Sequence, residues 1–411
     1  RSSDLGELLP ADILKITTQN AAGLLLTDGG FTAHAAILTR SMGIPLVLVK
    51  DEQMRSLAEG TPLLMDAERG TVYLNPGEEV LERYRDLMAS KEQADDLDQC
   101  PAPPTETRDG TRVKILANIN LLSELEVAAQ CCAEGVGLYR SEFPYVVRTN
   151  FPSEEEQVEI YSTVLRKTES GDVTFRTLDV GGDKILSYFS THQEANPFLG
   201  MRAIRLSLTR RDIFEPQLRA LLRAGAGYSL KIMFPMISSL EEFIDAKRIT
   251  ADCIRSLQDE SVTCSSSPQL GAMVEIPSAV EVVEELAAAA DFLCLGTNDL
   301  VQYMLAVDRT NENVAQFYVP HHPAVLRALS RVAKAARNHD KPLSICGEMG
   351  GNAAILPFLL GIGIHEFSLD ARTIPRIRKA VSELSLEECR VIAGQVLTAG
   401  RIEEVEEILG L

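Results

Sequence analysis

The stretch from Ala272 to Thr297, AMVEIPSAVEVVEELAAAADFLCLGT, decides the fold. Ala272–Glu275 is short and apolar and reads as a buried strand. Ala279–Ala290 carries the apolar spacing of an amphipathic helix, and Ile276-Pro277 gives it a proline start suited to a first helical turn. Phe292–Thr297 is a second buried strand. Strand, helix and strand in this order form a βαβ unit, whose two strands run parallel.

Working outward, the same alternation fills the chain from about Asp109 onward. Apolar, β-rich runs fall at Val113–Asn118, Val136–Arg140, Val173–Asp179, Leu230–Phe234, Leu343–Cys346 and Glu366–Leu369. Amphipathic runs such as Ser123–Cys132, Ser239–Ser256 and Ala324–Asn338 lie between them. Eight βα units in about 300 residues predict an α/β fold, a TIM (β/α)8 barrel with insertions. A doubly wound open sheet is the alternative, because a strand count does not establish closure.

Ahead of the barrel, residues 1–80 read as a small separate domain. Gly23–Leu26 and Ile44–Val49 are strands, and Pro62–Met65 with Thr71–Leu74 make a hairpin around the turn-like segment Asp66–Gly70. Between the first two strands, Gly29-Gly-Phe-Thr-Ala-His34 opens a helix over Ala35–Ser41. The glycines allow close backbone approach to a ligand, Thr32 can cap the helix, and the free N–H groups there favour an anion. A histidine so placed can carry a phosphoryl group on a ring nitrogen; one that merely packs or caps is the plain alternative. From Glu78 to about Gln99 the pattern is helical and highly charged, until Cys100-Pro-Ala-Pro-Pro-Thr105 breaks it. Residues 81–107 are therefore read as a linker helix and hinge, and 108–411 as the barrel.

Charge narrows the partners. The chain of 411 residues carries 59 Asp and Glu against 40 Lys and Arg, a formal net charge of −19. Nucleic acid and anionic membranes need a positive footprint and are not expected as partners. An anionic substrate would need a local cluster of arginines. The eight cysteines show no metal-ligand spacing and read as reduced thiols in a cytoplasmic protein. No targeting segment is evident, and the apolar run Ala353–Ile364 is too short to span a bilayer. The chain opens on Arg1 rather than Met and is expected to be a fragment of a longer polypeptide.

The C-terminal ends of barrel strands are where such folds do chemistry. Polar residues gather at these ends: Arg140-Ser-Glu142, Arg176 with Asp179 and the loop to Lys184, Glu275, Asn298-Asp299 and Cys346-Gly-Glu348. Glu275 and Asp299 can hold a divalent ion through hard oxygens, Mg²⁺ in particular; the plain alternative is a helix-capping carboxylate. Arg140, Arg176, Arg202 and Arg309 are candidates for clamping an anion, with Lys184 adding a point charge. Cys346 is a candidate proton donor or nucleophile, or else a small buried hydrophobe. His321-His322 invites a metal reading, but its proline flanks suggest a loop.

Taken together, these segments resemble enzyme I of the phosphoenolpyruvate-dependent phosphotransferase system. The likeness runs through Gly29–His34, Ala133–Phe143, Arg176–Lys184, Asn196–Arg202, Val274–Pro277, Gly296–Leu300, Ala306–Arg309 and Cys346–Gly351. It implies a swivelling phosphohistidine domain joined to a phosphoenolpyruvate-binding barrel. It also implies phosphoryl transfer to His34 and on to an HPr-like phosphocarrier protein, with release of pyruvate. Arg140, Arg176, Asn298 and Arg309 take the place of the substrate contacts, with Arg202 and Lys184 near them. Glu275 and Asp299 take that of the Mg²⁺ ligands, and Cys346 that of the general acid. Phe31 and Ala33 depart from the sugar-system pattern, and the small residues after His34 with the Pro320-His-His-Pro323 stretch look more like the nitrogen-regulatory or multidomain branches. The family's acceptor-docking segment is expected to precede residue 1, and a homodimer through the barrel is implied. The apolar run Ala353–Ile364 and the segment Phe317–Val319 could supply an exposed patch for it, or could equally be core. A dikinase or phosphoenolpyruvate synthase shares the same halves, and a non-catalytic phosphoenolpyruvate sensor is a third possibility.

Overall fold

The computed structural model describes residues 22–26, 44–49, 57–58, 60–67, 70–95, 104–146, 148, 150–181, 194–311 and 313–411. His34 and Lys184 lie outside them. The chain divides into two compact units, a small one of residues 1–98 and 183–189 and a large one of residues 99–182 and 190–411.

In the small unit β1 (Leu24–Leu26) and β2 (Leu46–Leu48) pair in parallel, and β3 (Leu63–Asp66) and β4 (Thr71–Leu74) form an antiparallel hairpin. A helix follows over Glu78–Asp95. The Tyr84 hydroxyl, on that helix, donates to Asp66 Oδ2 at 2.8 Å and ties it to the hairpin.

The large unit is a closed barrel of parallel strands. These are β5 (Lys114–Ile119), β6 (Val136–Arg140), β7 (Val173–Arg176), β8 (Lys231–Phe234), β9 (Gln269–Val274), β10 (Phe292–Leu295), β11 (Leu343–Ile345) and β12 (Glu366–Asp370). They neighbour one another in chain order, and β12 pairs with β5 to close the ring. Closure decides against the open sheet. Each strand falls where an apolar run was expected, with shifted ends. The third stops at Arg176 because the Leu178 N–H bonds the Gln217 side chain at 2.9 Å instead of continuing a ladder. The helix expected over Ala279–Ala290 is split into Pro277–Glu281 and Val283–Ala289, at a Val282-Val283 pair whose β-branching weakens helix.

Period-two alternation sorts the side chains. Ile115, Ala117, Phe175, Ile232, Phe234, Ala272, Leu293, Ile345 and Phe367 point outward into the main core beneath the helices. Tyr139, Tyr161 and Phe175 pack there edge to face, with centroids 5.4–6.2 Å apart. Each such aromatic contributes roughly 2–3 kcal/mol through burial. Inside the barrel sits a second cluster of Leu138, Met233, Met273, Phe292, Cys294 and Cys346. Gly271 makes room for Phe292, whose ring lies 2.3 Å from where a Cβ would stand.

The helices start where the chain provides caps. Ser153 and Glu156 form a capping box for Glu154–Lys167, and Ser239 caps Leu240–Asp259. His322 caps Pro323–Asn338, with Nδ1 accepting the Ala324 N–H at 3.1 Å, while His321 Nε2 lies 3.0 Å from Glu406. The histidine pair is thus used in capping and pairing. The run Ala353–Ile364 is core rather than a surface patch: Ile355, Leu356, Phe358, Leu359 and Leu360 are buried, whereas Phe317 is 58% exposed. Cys132 is disulfide-bonded, against the expectation of reduced thiols throughout; Cys131, Cys253, Cys264, Cys294, Cys346 and Cys389 are free. Among the described residues no helix is long and apolar enough to cross a membrane.

Candidate active site

The alternation that sends Leu138 inward also sends Arg140 into the barrel mouth two residues later. Met273 does the same for Glu275, and the inward Cys294 is followed at the strand end by Gly296. Arg140 and Arg176 stand at the same register on adjacent strands β6 and β7. Two guanidinium groups are thereby held side by side at the C-terminal end.

Their partners differ. Arg176 is buried and pairs with Glu142 and, at 3.2 Å, with Asp179. Burial alone would lower its pKa, but Glu142, Asp179 and Glu275 raise it above the ordinary arginine value. Arg140 has one side-chain partner among the described residues, Asn120 Oδ1 at 3.4 Å, and no carboxylate pairs with it. Burial and repulsion from Arg176 lower its pKa. The Glu142 charge opposes this from a distance, and a confined cation that no carboxylate contacts is a receptor for an anion.

Arg202 is enclosed by carboxylates. Its Nε and Nη2 donate to Asp179 at 3.0 and 3.2 Å, and its Nη1 to Asp299 Oδ1 and the Tyr303 hydroxyl, both at 3.1 Å. Burial would raise the Asp299 pKa, but Arg202 and Arg309 hold it below the usual carboxylate value. Arg309 stands 4.0 Å from Asp299. Asn298 is anchored at both ends: its Oδ1 accepts the Glu348 N–H at 2.9 Å, and its carbonyl accepts the Tyr318 hydroxyl at 3.1 Å.

Glu275 is buried, and its Oε1 accepts the Met236 N–H at 2.6 Å. Met236 has a φ of 55°, a costly conformation for a non-glycine residue, and this aims the N–H at the carboxylate. Burial first, then repulsion from Asp299 and Asp179, pushes the Glu275 pKa up to about 8. A Cβ on Gly296 would lie 2.5 Å from Glu275 Oε2, so only glycine leaves the carboxylate its space. Hard oxygens crowded enough to repel one another suit a small divalent cation that takes its remaining ligands from water and substrate.

Cys346 lies just past the end of β11, buried, with its Sγ 3.4 Å from the Leu295 carbonyl. A hydrogen bond from the Cys294 thiol lowers its pKa, burial opposes this, and Arg176 and Arg140 lower it further, leaving it below the ordinary thiol value. The mouth therefore brings together paired and unpaired guanidinium groups, crowded carboxylates and an acidified thiol. Such a set can bind a compact polyanion and deliver a proton to it.

The comparisons with known proteins agree with this chemistry. The family description "PEP-utilising enzyme, PEP-binding domain" matches residues 93–386, and "PEP-utilising enzyme, mobile domain" matches residues 5–70. A phosphoenolpyruvate-protein phosphotransferase from Priestia megaterium is 41% identical over 404 residues, 98% of this chain and 70% of its own length. One from Geobacillus stearothermophilus is 41% identical over 400 residues, covering 97% and 69%. One from Staphylococcus aureus (strain MSSA476) is 39% identical over 407 residues, covering 98% and 71%. The chain belongs to the phosphoenolpyruvate-protein phosphotransferase family.

Within this family member, sequence reasoning passed over several residues of the mouth. Glu142 and Asp179 stood among the strand-end residues, yet their part as counter-charges to Arg176 and Arg202 shows only in the folded register. Gln217 links the Leu178 N–H to the Ser141 hydroxyl, and the Met236 N–H holds Glu275. A backbone donor of this kind leaves no signal in the sequence. Cys294 had one, its place two residues before Gly296 on an inward-facing strand position.

Proposed function

We propose that the barrel binds phosphoenolpyruvate at its C-terminal mouth and that its phosphoryl group passes to His34 and then to a phosphocarrier protein of the HPr type. The observation that carries this reading is Arg140: a cation in the mouth with no carboxylate partner, in register with the clamped Arg176. Arg140, Arg176 and Arg309, with the Asn298 amide, orient the phosphate and carboxylate. Asp179 and Asp299 hold Arg202 from both sides, so it is fixed before substrate arrives. Lys184 would add charge at the same mouth. Glu275 and Asp299 would hold Mg²⁺, which supplies charge neutralisation to the phosphate oxygens when bound.

As the P–O bond to the enol oxygen breaks, a nitrogen of His34 forms the new bond to phosphorus. The enolate left behind takes a proton at carbon from the Cys346 thiol and departs as pyruvate; solvent reprotonates the thiolate. Residues 1–80 would act as the swivelling carrier on a linker of residues 81–107, with 108–411 as the catalytic barrel in a cytoplasmic homodimer.

The test is incubation with radiolabelled phosphoenolpyruvate and Mg²⁺, scoring both protein label and pyruvate. An acid-labile, base-stable phosphate on His34, absent from His34→Ala, is expected. Labelling of His34→Ala equal to wild type would overturn the assignment.

A further inference from the structure

Cys346 stands one residue beyond β11, where the ladder with β12 has ended at Ile345. A cysteine has a single torsion between backbone and sulfur, so the place of its Sγ follows the place of its backbone. Two groups hold the Cys346 backbone from opposite sides. Its N–H donates to the Leu295 carbonyl of β10 at 3.1 Å. Its carbonyl accepts a hydrogen bond from Asn118 Nδ2 at 3.2 Å.

Asn118 belongs to β5, two strands away around the ring, and reaches Cys346 past β12 through the barrel interior. The alternation on β5 sets this direction. Ile115, Ala117 and Ile119 enter the outer core, so Leu116 and Asn118 face inward. Ser368 on β12 lies between Phe367 and Leu369 of that same core, faces inward in its turn, and is fully buried. Its hydroxyl donates to Asn118 Oδ1 at 2.7 Å, with the Ala117 carbonyl as a second acceptor at 3.2 Å. Gly137 on β6 leaves room for it, since a Cβ there would lie 2.5 Å from Ser368 Oγ. Groups on three consecutive strands, β12, β5 and β11, are thus joined in one line of hydrogen bonds that ends at Cys346.

The residue types suit this line. An amide accepts at its oxygen and donates at its nitrogen. The Ser368 proton engages the oxygen and thereby turns the NH2 group toward the Cys346 carbonyl. An aspartate could accept from Ser368 but would set a second oxygen against that carbonyl.

We propose that Asn118 and Ser368 are positioning residues for the proton transfer from Cys346. Ser368 sets the orientation of the Asn118 amide, and the amide fixes the Cys346 backbone so that its thiol stays directed at the substrate carbon. This rests on the reading of Cys346 as donor of the pyruvate proton. The step keeps its balance: the S–H bond of Cys346 breaks, a C–H bond forms on the enolate, and the Asn118–Ser368 line carries no proton. Substrate binding rests on the arginines, so the maximal rate should respond and the affinity should not.

The test is a set of variants assayed for pyruvate formation in a single turnover with Mg²⁺, across a range of phosphoenolpyruvate concentrations. Asn118→Leu keeps the side-chain size and leaves the Ser368 hydroxyl its Ala117 acceptor. It should lower the maximal rate about tenfold or more, with the half-saturating concentration held within about twofold. Ser368→Ala should fall between it and wild type, and adding Ser368→Ala to Asn118→Leu should cost nothing further, because the hydroxyl acts through the amide. Adding Asn118→Leu to Cys346→Ala should also cost nothing further, since no thiol remains to be positioned. A merely structural role would slow both backgrounds alike. By hydrogen–deuterium exchange, the peptide containing Cys346 should exchange faster in Asn118→Leu than in wild type. Cys346→Ala turning over at the wild-type rate would overturn the reading of Cys346 and the proposal with it. A slow Cys346→Ala beside Asn118→Leu at the wild-type rate would overturn the proposal alone, as would an added loss from Asn118→Leu in the Cys346→Ala protein. Should Asn118→Leu fail to fold, Ser368→Ala carries the same cycle with Cys346→Ala.

Discussion

Replacing Glu275 by glutamine should stabilise the metal-free protein while it removes the activity. The Glu275 carboxyl is buried, and the Met236 N–H it accepts at 2.6 Å is a bond that a glutamine carbonyl can keep. Burial, then Asp299 and Asp179, raise its pKa from 4.5 to about 8. Below the unfolded value the group is neutral in both states and folding carries no penalty. Between the two values the unfolded chain ionises while the folded chain keeps its proton, so stability falls as pH rises; above about 8 the loss is complete. At about pH 7 most of that interval has been crossed, a loss of roughly 3 kcal/mol at about 1.4 kcal/mol per unit. Glutamine has no proton to lose. Glu275→Gln should therefore exceed wild type by roughly 3 kcal/mol near pH 7 and match it near pH 4. Urea unfolding followed by far-ultraviolet circular dichroism, in chelator, measures both. A difference that does not change with pH, or a glutamine variant less stable than wild type near pH 8, would refute the reasoning. Added Mg²⁺ should then stabilise wild type and leave the variant unmoved.

Arg140→Gln removes the guanidinium that lacks a carboxylate, so kcat/KM for phosphoenolpyruvate should fall by roughly 2–4 kcal/mol, on the order of 30- to 700-fold, without loss of thermal stability. Cys346→Ser should leave the KM within about twofold and slow pyruvate formation on the order of 100-fold or more, because the proton donor is a weaker acid; unchanged turnover would return Cys346 to a packing role. Gly271→Ala places a Cβ against the Phe292 ring at 2.3 Å and should cost about 1–3 kcal/mol in unfolding measurements, with Phe292→Leu restoring part of it.

The barrel was legible because its signal is local. Each strand is a short apolar run, and the alternation within it already assigns Leu138 and Arg140, or Met273 and Glu275, to the inward face. Strand ends were less legible, because they depend on partners far along the chain. The third strand ends at Arg176 through Gln217, 39 residues from Leu178. The split at Val282-Val283 balances β-branching against an otherwise regular apolar pattern. The run Ala353–Ile364 stood open between patch and core because hydrophobicity alone does not distinguish a core helix from an exposed one, and burial decides for core.

The site shows the same division. Residue types at strand ends singled out Arg140, Arg176, Glu275, Asp299 and Cys346 as candidates, but not which cation would be neutralised. That choice comes from long-range geometry. Asp179 is shared between Arg176 and Arg202, and Asp299, 97 residues from Arg202, closes that guanidinium from the other side. Glu142 then completes the clamp on Arg176. The carboxylates near these strands are thereby committed to Arg176 and Arg202, and Arg140 on the adjacent strand is left without one. Had Glu142 or Asp179 reached Arg140 instead, an incoming anion would have to displace a carboxylate, losing much of the binding free energy. The asymmetry between two arginines in register is therefore what makes the mouth receptive to an anion, while the carboxylates crowded around Glu275 keep the neighbouring corner receptive to a cation.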